Sequence, residues 1–164
     1  MDGLDNVLST LGVAFDAAIA RDEEVAASDL AISLRQDRDL RDRLLRDGPW
    51  KLVLGDARSA LVEVVGADFV GAGPMLVPLG RAVAVRAPEG VGARPSPATL
   101  RELLRGLARA KKAVVVSDGG REWSGCAALC GRDYLALEAR GGEVLVPLHV
   151  IAWLRLGGAA DAAW

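Results

Sequence analysis

From the N-terminus the apolar residues fall at Leu4, Leu8, Leu11, Phe15, Ala18 and Ile19, a spacing that puts them on one stripe of a helix. Arg21–Ala27 interrupts that stripe. A second helical stretch is expected from Ser28 to Arg46, with Leu30, Leu34, Leu40, Leu44 and Leu45 as its apolar members. Ser28 suits its N-cap, and Gly48-Pro49 stops it. Asp37/Arg41, Asp39/Arg43 and Asp42/Arg46 are acid-to-base pairs one helical turn apart, each worth about 0.2–0.5 kcal/mol.

After Trp50 the pattern changes to short apolar runs bounded by Gly, Asp and Pro. Leu52–Leu54, Ala60–Val65, Phe69–Val70, Met75–Leu79 and Val83–Arg86 read as five strands. Residues 87–97 carry three prolines and two glycines and read as a linker. Ser96 as cap and Pro97 at the first position then open a third helix, whose apolar face is Leu100, Leu103, Leu104 and Leu107. A second set of strands follows at Ala113–Ser117, Glu122–Cys130, Tyr134–Glu138, Glu143–Leu148 and Ile151–Leu156.

The two strand sets are copies. Val65-Gly66-Ala67-Asp68-Phe69-Val70 returns as Cys130-Gly131-Arg132-Asp133-Tyr134-Leu135, and Leu76-Val77-Pro78-Leu79 returns as Leu145-Val146-Pro147-Leu148. The offset is 65 residues in the first block and 69 in the second, the later copy having gained four residues where 138–143 reads as an enlarged hairpin tip. Leu40–Arg46 likewise resembles Leu100–Arg105, so the repeating unit is a helix followed by five strands. Five short strands can curl into a small barrel with the helix over one end. The expected organisation is N-terminal helices (1–47), a first small barrel (48–86), the linker (87–97), a helix with a second small barrel (98–156) and a C-terminal tail (157–164).

The second half resembles the Sm-like fold. The residues responsible are Val116-Ser117-Asp118-Gly119-Gly120-Arg121-Glu122-Trp123-Ser124-Gly125, followed by Gly131-Arg132-Asp133-Tyr134-Leu135-Ala136-Leu137. Asp118-Gly119 suits a hairpin turn, and Gly125 sits where a bent strand must lose its side chain. In the first half Ala60 stands where Gly125 does. The fold class this implies is α+β, two tandem five-stranded Sm/SH3-like barrels, each preceded by a helix, plus an extra N-terminal helix. Over residues 50–156 the layout is also similar to actinobacterial proteins labelled "Fis family transcriptional regulator". The strand-rich region after Trp50 holds no helix pair of the helix-turn-helix kind.

Charge and composition narrow the function. Half the residues are apolar and the net charge is −2, which leaves no large basic field for nucleic acid or an anionic membrane. The stretch Val144–Leu156 is interrupted by Pro147, His149 and Arg155 and is too short to span a bilayer. With no basic, apolar leader at the N-terminus, a cytoplasmic protein is expected.

Candidate chemistry is sparse. Cys126 and Cys130, on one strand, would share a face roughly 13 Å apart, too far to bridge, and read as buried, inert thiols. His149 is the sole histidine, so no metal site, cofactor or catalytic triad is expected. Gly66–Gly73 looks like a phosphate loop but lacks the Lys-Ser/Thr ending and runs into Pro74. Trp50, Trp123 and Trp153 read as packing residues, as do Phe69 and Tyr134 at matching positions of the two copies. Trp164 ends the tail.

These features imply a non-enzymatic interaction or scaffold module whose partner is a protein or a second copy. The stripe of Leu4, Leu8, Leu11 and Phe15 would be its partner-binding helix face. The alternative is a nucleic-acid-binding regulator, as the Sm resemblance implies, contacting phosphates through Lys111, Lys112, Arg121, Arg132 and Arg140.

Overall fold

The computed structural model describes residues 18–30, 38–54 and 58–157. The chain divides into two units, Met1–Asp39 and Leu40–Trp164. In the first, a helix (α1) runs unbroken through 18–30 with every residue exposed. Ser28 therefore lies inside a helix rather than capping one, and Arg21–Ala27 does not separate two helices. The apolar stripe lapses there, but Arg, Asp, Glu and Ala include no glycine or proline to break the backbone pattern. Leu4, Leu8, Leu11 and Phe15 lie outside the described residues.

The second unit begins with α2 (Leu40–Arg46), which buries Leu44. Arg46 pairs with Asp42 at 2.6 Å, as the spacing predicts, while Arg43 pairs with Asp47 at 2.5 Å. The helix ends before a cis Gly48-Pro49 bond. Trp50 ties it down. Its indole Nε1 donates to the Arg43 carbonyl at 3.1 Å, and the Arg86 guanidinium sits 4.8 Å from the ring centre.

Strands β1 (Trp50–Val53), β2 (Ser59–Leu61), β3 (Val64–Val65), β4 (Phe69–Ala72), β5 (Met75–Pro78) and β6 (Val83–Arg86) form the first half. A short strand β7 (Arg94–Pro95) and helix α3 (Leu100–Arg109) lead to β8 (Ala113–Ser117), β9 (Glu122–Cys130), β10 (Tyr134–Ala139), β11 (Gly142–Pro147) and β12 (Trp153–Leu156). A single 3-10 turn precedes the last strand of each half, at Leu79–Arg81 and Leu148–Val150. The molecule is thus mixed α+β, as expected.

The strands form a three-stranded sheet, β2-β1-β6, and a nine-stranded sheet, β11-β10-β9-β8-β12-β5-β4-β3-β7. Among the described residues neither closes on itself. With β2 and β3 counted as one interrupted strand, the counterpart of β9, each half has five strands, and the fifth returns antiparallel to the first, β6 to β1 and β12 to β8. The halves join where β12 also pairs with β5, Leu154 opposite Leu76 and Arg155 opposite Met75.

Three local features differ from the sequence reading. The inserted residues at 138–143 lengthen strands rather than a tip: both hairpins close with two-residue turns, Ala72 opposite Met75 and Ala139 opposite Gly142. The stretch after Pro88 is not a bare connection, because β7 adds to β3 in parallel and keeps the chain extended. That delays α3, whose N-cap is Thr99 rather than Ser96. Thr99 Oγ1 accepts from the Glu102 amide at 3.2 Å, and the Glu102 carboxylate accepts from the Thr99 amide at 2.9 Å.

The duplicated letters mark duplicated hydrogen bonds. The Gly66 and Gly131 amides each donate to the carbonyl of the aromatic residue three positions on, both at 2.9 Å. The Leu79 and Leu148 amides each donate to an Asp carbonyl, of Asp68 and Asp133, at 2.8 Å. A Cβ at Gly66 would lie 2.0 Å from the Phe69 ring, and one at Gly131 would lie 2.2 Å from Tyr134. The aromatic ring occupies the space of the missing side chain in both copies.

Gly125 serves a different contact: a Cβ there would meet the Glu138 carbonyl oxygen at 2.5 Å. β10 is long enough to reach over it, whereas β4 stops at Ala72 before reaching Ala60. Alanine is therefore tolerated in the first half and not in the second. Gly125→Ala is expected to destabilise the fold by about 1–3 kcal/mol. Gly106→Ala, in mid-helix with open space at the Cβ, should stabilise it by about 1 kcal/mol. Urea denaturation of the two variants beside the parent checks both signs.

Candidate interaction surfaces

The five cations singled out in the sequence do not converge. Lys111 and Lys112 lie just before β8, and Arg132 lies in the β9–β10 turn. Ala113 is opposite Cys126, so β9 runs past the start of β8 and brings Arg132 to that same end of the meander. Arg121, in the β8–β9 turn, and Arg140, in the β10–β11 turn, sit at the opposite end.

Lys111 and Lys112 instead join three arginines the sequence reading passed over. With Leu100, Leu104 and Ala108 of α3 buried, Arg101, Arg105 and Arg109 are spaced by four on its exposed side. None of the three makes an ion pair among the described residues. Lys111 follows the C-cap Ala110 with φ +51, and its ammonium donates to the Ala128 carbonyl at 3.4 Å. A groove of about 400 Å³ runs beside this row, lined by Arg105, Ala108, Arg109, Lys111, Ala128, Leu129 and Cys130. One signal was available: residues 1–39 hold three Arg against nine Asp and Glu. From Leu40 onward seventeen Lys and Arg face thirteen acids, a surplus the whole-chain charge hides.

The second surface is formed by two of the four sheet ends, the other two being β2 and β7. β6 ends the small sheet and β11 ends the large one. Both carry exposed apolar residues, Val83 and Val85 on β6 and Leu145 on β11. Unpaired edges with apolar side chains are sites for strand addition.

A cleft of about 460 Å³ lies between the halves, lined by Asp68, Pro78, Thr99, Leu100, Arg101, Leu148 and His149. Its polar groups are largely committed: Asp68 Oδ1 accepts from the Leu100 amide at 2.7 Å, and Thr99 belongs to the capping box. Among the described residues no cluster of three or more His, Cys, Asp and Glu is placed to hold a metal ion. No helix among them is long and apolar enough to cross a membrane. No protein family, curated protein or solved structure matches this chain.

The cysteines do not share a face. β9 skips a residue against β10, Leu129 pairing with Ala136 and Ala127 with Leu137, and this bulge turns the strand over. Cys126 is exposed and Cys130 buried, both as free thiols. Burial pushes the Cys130 thiol up, against the pull of Arg105 and Arg101. At about pH 8, near the ordinary thiol range, iodoacetamide should label Cys126 on the native protein. Cys130 should react at least roughly ten-fold more slowly, its thiolate being both scarce and covered. Mass spectrometry before and after denaturation reads this, and equal rates would refute it.

Proposed function

We propose that the chain is a non-enzymatic interaction module built from two tandem small barrels of the Sm-like kind, and that it works through its open sheet edges. The observation that carries this reading is the return of the fifth strand to the first in both halves, with one sheet continuing across their junction between two unpaired ends. The same 3-10 turn before each fifth strand supports it, as do the matching hydrogen bonds at Asp68 and Asp133. Edge pairing supplies affinity from main-chain hydrogen bonds, and alternate side chains supply specificity. The test is affinity capture with the full-length chain as bait, beside a Leu145→Glu bait. Bound chains, copies of this protein included, should be retained by the parent and lost from the variant. An identical bound set on both baits would overturn the reading.

A second reading, nucleic-acid binding, is favoured by the row of Arg101, Arg105, Arg109, Lys111 and Lys112 along α3. Cations placed this way neutralise phosphates and release counterions, so affinity must fall with salt. Fluorescence anisotropy with single-stranded RNA and duplex DNA at several salt concentrations tests it. Binding should weaken with rising salt, and Arg105→Glu/Arg109→Glu should abolish it. Absence of binding at low salt would remove this reading and leave the first untouched.

A further inference from the structure

We propose that residues 158–164 fold back past the end of the sheet and seat the Trp164 side chain in the groove between α3 and β9, with Asp161 against the groove's cations. The occupant is a segment of this chain, at a surface separate from the sheet edges. From Leu40 to Gly157 each aromatic side chain has a place in the fold. Trp50, Phe69, Trp123 and Trp153 pack against the two cores, and the Tyr134 ring fills the space beside Gly131. The next aromatic residue along the chain is Trp164, in a segment that lies outside the described residues.

The groove has the lining an indole needs. Its volume is about 400 Å³, and Ala108, Ala128 and Leu129 give it an apolar wall. Leu129 is 54% exposed, a leucine with nothing over it. Arg105, Arg109 and Lys111 supply the charged part of the lining. A guanidinium is attracted to an aromatic face, and Trp is the best of the aromatic side chains for this contact. Arg105 and Arg109 make no ion pair among the described residues, so an incoming carboxylate has no existing pair to displace. Asp161 brings one, three positions before Trp164. The rest of the segment is Gly and Ala, small enough to run along a wall without a clash.

The chain leaves the sheet beside this groove. The Gly157 amide donates to the Ala113 carbonyl at 2.9 Å, and Lys111, two residues before Ala113, lines the groove. One strand spacing of about 4.8 Å and two residues of chain, about 7 Å, therefore separate Gly157 from the groove's edge. Four extended residues cover roughly 13 Å. That brings Asp161 level with Lys111 and leaves the last three residues to carry the indole on toward Leu129. Leu156 sets the side. It stands opposite Val114, so the two side chains share a face of the sheet. Val114 belongs to the core that α3 covers through Leu104 and Ala108, yet Leu156 is 38% exposed. The segment thus starts on the α3 side of the sheet, directly after a leucine that it would cover.

Nuclear magnetic resonance on the full-length chain tests this. The Trp164 indole should show Overhauser contacts to the Leu129 and Ala108 methyl groups at every protein concentration. Backbone order parameters at 161–164 should approach the ~0.85 of packed chain. Leu129→Glu and Arg105→Glu/Arg109→Glu should each remove the contacts and drop those order parameters below about 0.6, with circular dichroism reporting the fold. Should either variant melt early, Trp164→Ala takes its place: the Ala128 and Leu129 resonances should shift and those of β6 should not. Order parameters below about 0.6 in the parent would overturn the proposal, as would Trp164 contacts to any other surface. Contacts that appear only as concentration rises would give the groove to the same segment of a second copy. Single-stranded RNA that shifts Leu129 while Trp164 makes no contact would give it to nucleic acid. Either result overturns the proposal. No outcome involves Leu145, so the module reading stands or falls separately.

Discussion

The pairing of β12 with β5 is the constraint on which the body of the molecule depends. β12 is hydrogen-bonded on both sides, to β8 of its own half and to β5 of the other. Strand pairs are marginal alone, and this single shared strand joins β3, β4 and β5 of the first half to the sheet of the second. Burial follows it. Phe69 leaves the first half to complete the second core, and Trp153 packs back against the first. Separating the halves would expose both aromatic residues at once, so they are fixed partners and not beads on a string. The stretch between β6 and α3 reinforces the junction: Arg94 and Ser96 donate to the Glu63 and Val65 carbonyls, and Asp68 holds the first turn of α3.

The residues that survived duplication are those the backbone constrains. Gly66 and Gly131 are retained because an aromatic ring occupies the space of a side chain, and Pro78 and Pro147 both open the 3-10 turn into the last strand. What faced outward was free to change. Val64 became Leu129 in kind, but one is covered and the other exposed. Identity between the copies therefore reports local geometry, while the difference in burial reports what each surface meets.

This explains which features were legible in the sequence. Strand positions were, because alternation and bounding glycines express a local constraint. β8 and β9 lie where the apolar runs place them. The α3 cap was not, because Ser96 and Thr99 are both competent caps and the choice between them is made by β7 pairing with β3, a contact over thirty residues of chain. The cysteine faces were misread because one skipped residue in β9 inverts everything beyond it, and no letter announces a bulge. The basic face of α3 was hidden by its own regularity: four leucines drew attention to the buried side, and the acidic N-terminal unit cancelled the charge.

The two helices show why a count of charges does not locate a binding surface. α2 and α3 each carry three arginines. Those of α2 are engaged: Arg41 donates to the Gly66 carbonyl at 2.8 Å, while Arg43 and Arg46 pair with Asp47 and Asp42. Arg41 ties the helix to the residue that follows β3, and the other two pairs brace the helix itself. In α3 the single acid, Glu102, is drawn into the capping box, so Arg101, Arg105 and Arg109 have no local carboxylate to satisfy. A guanidinium already paired offers little to a ligand, since binding must first break the pair; an unpaired one offers its full fork of donors. Duplication thus preserved the helix and freed its charge, giving the second half a surface the first one uses to fold.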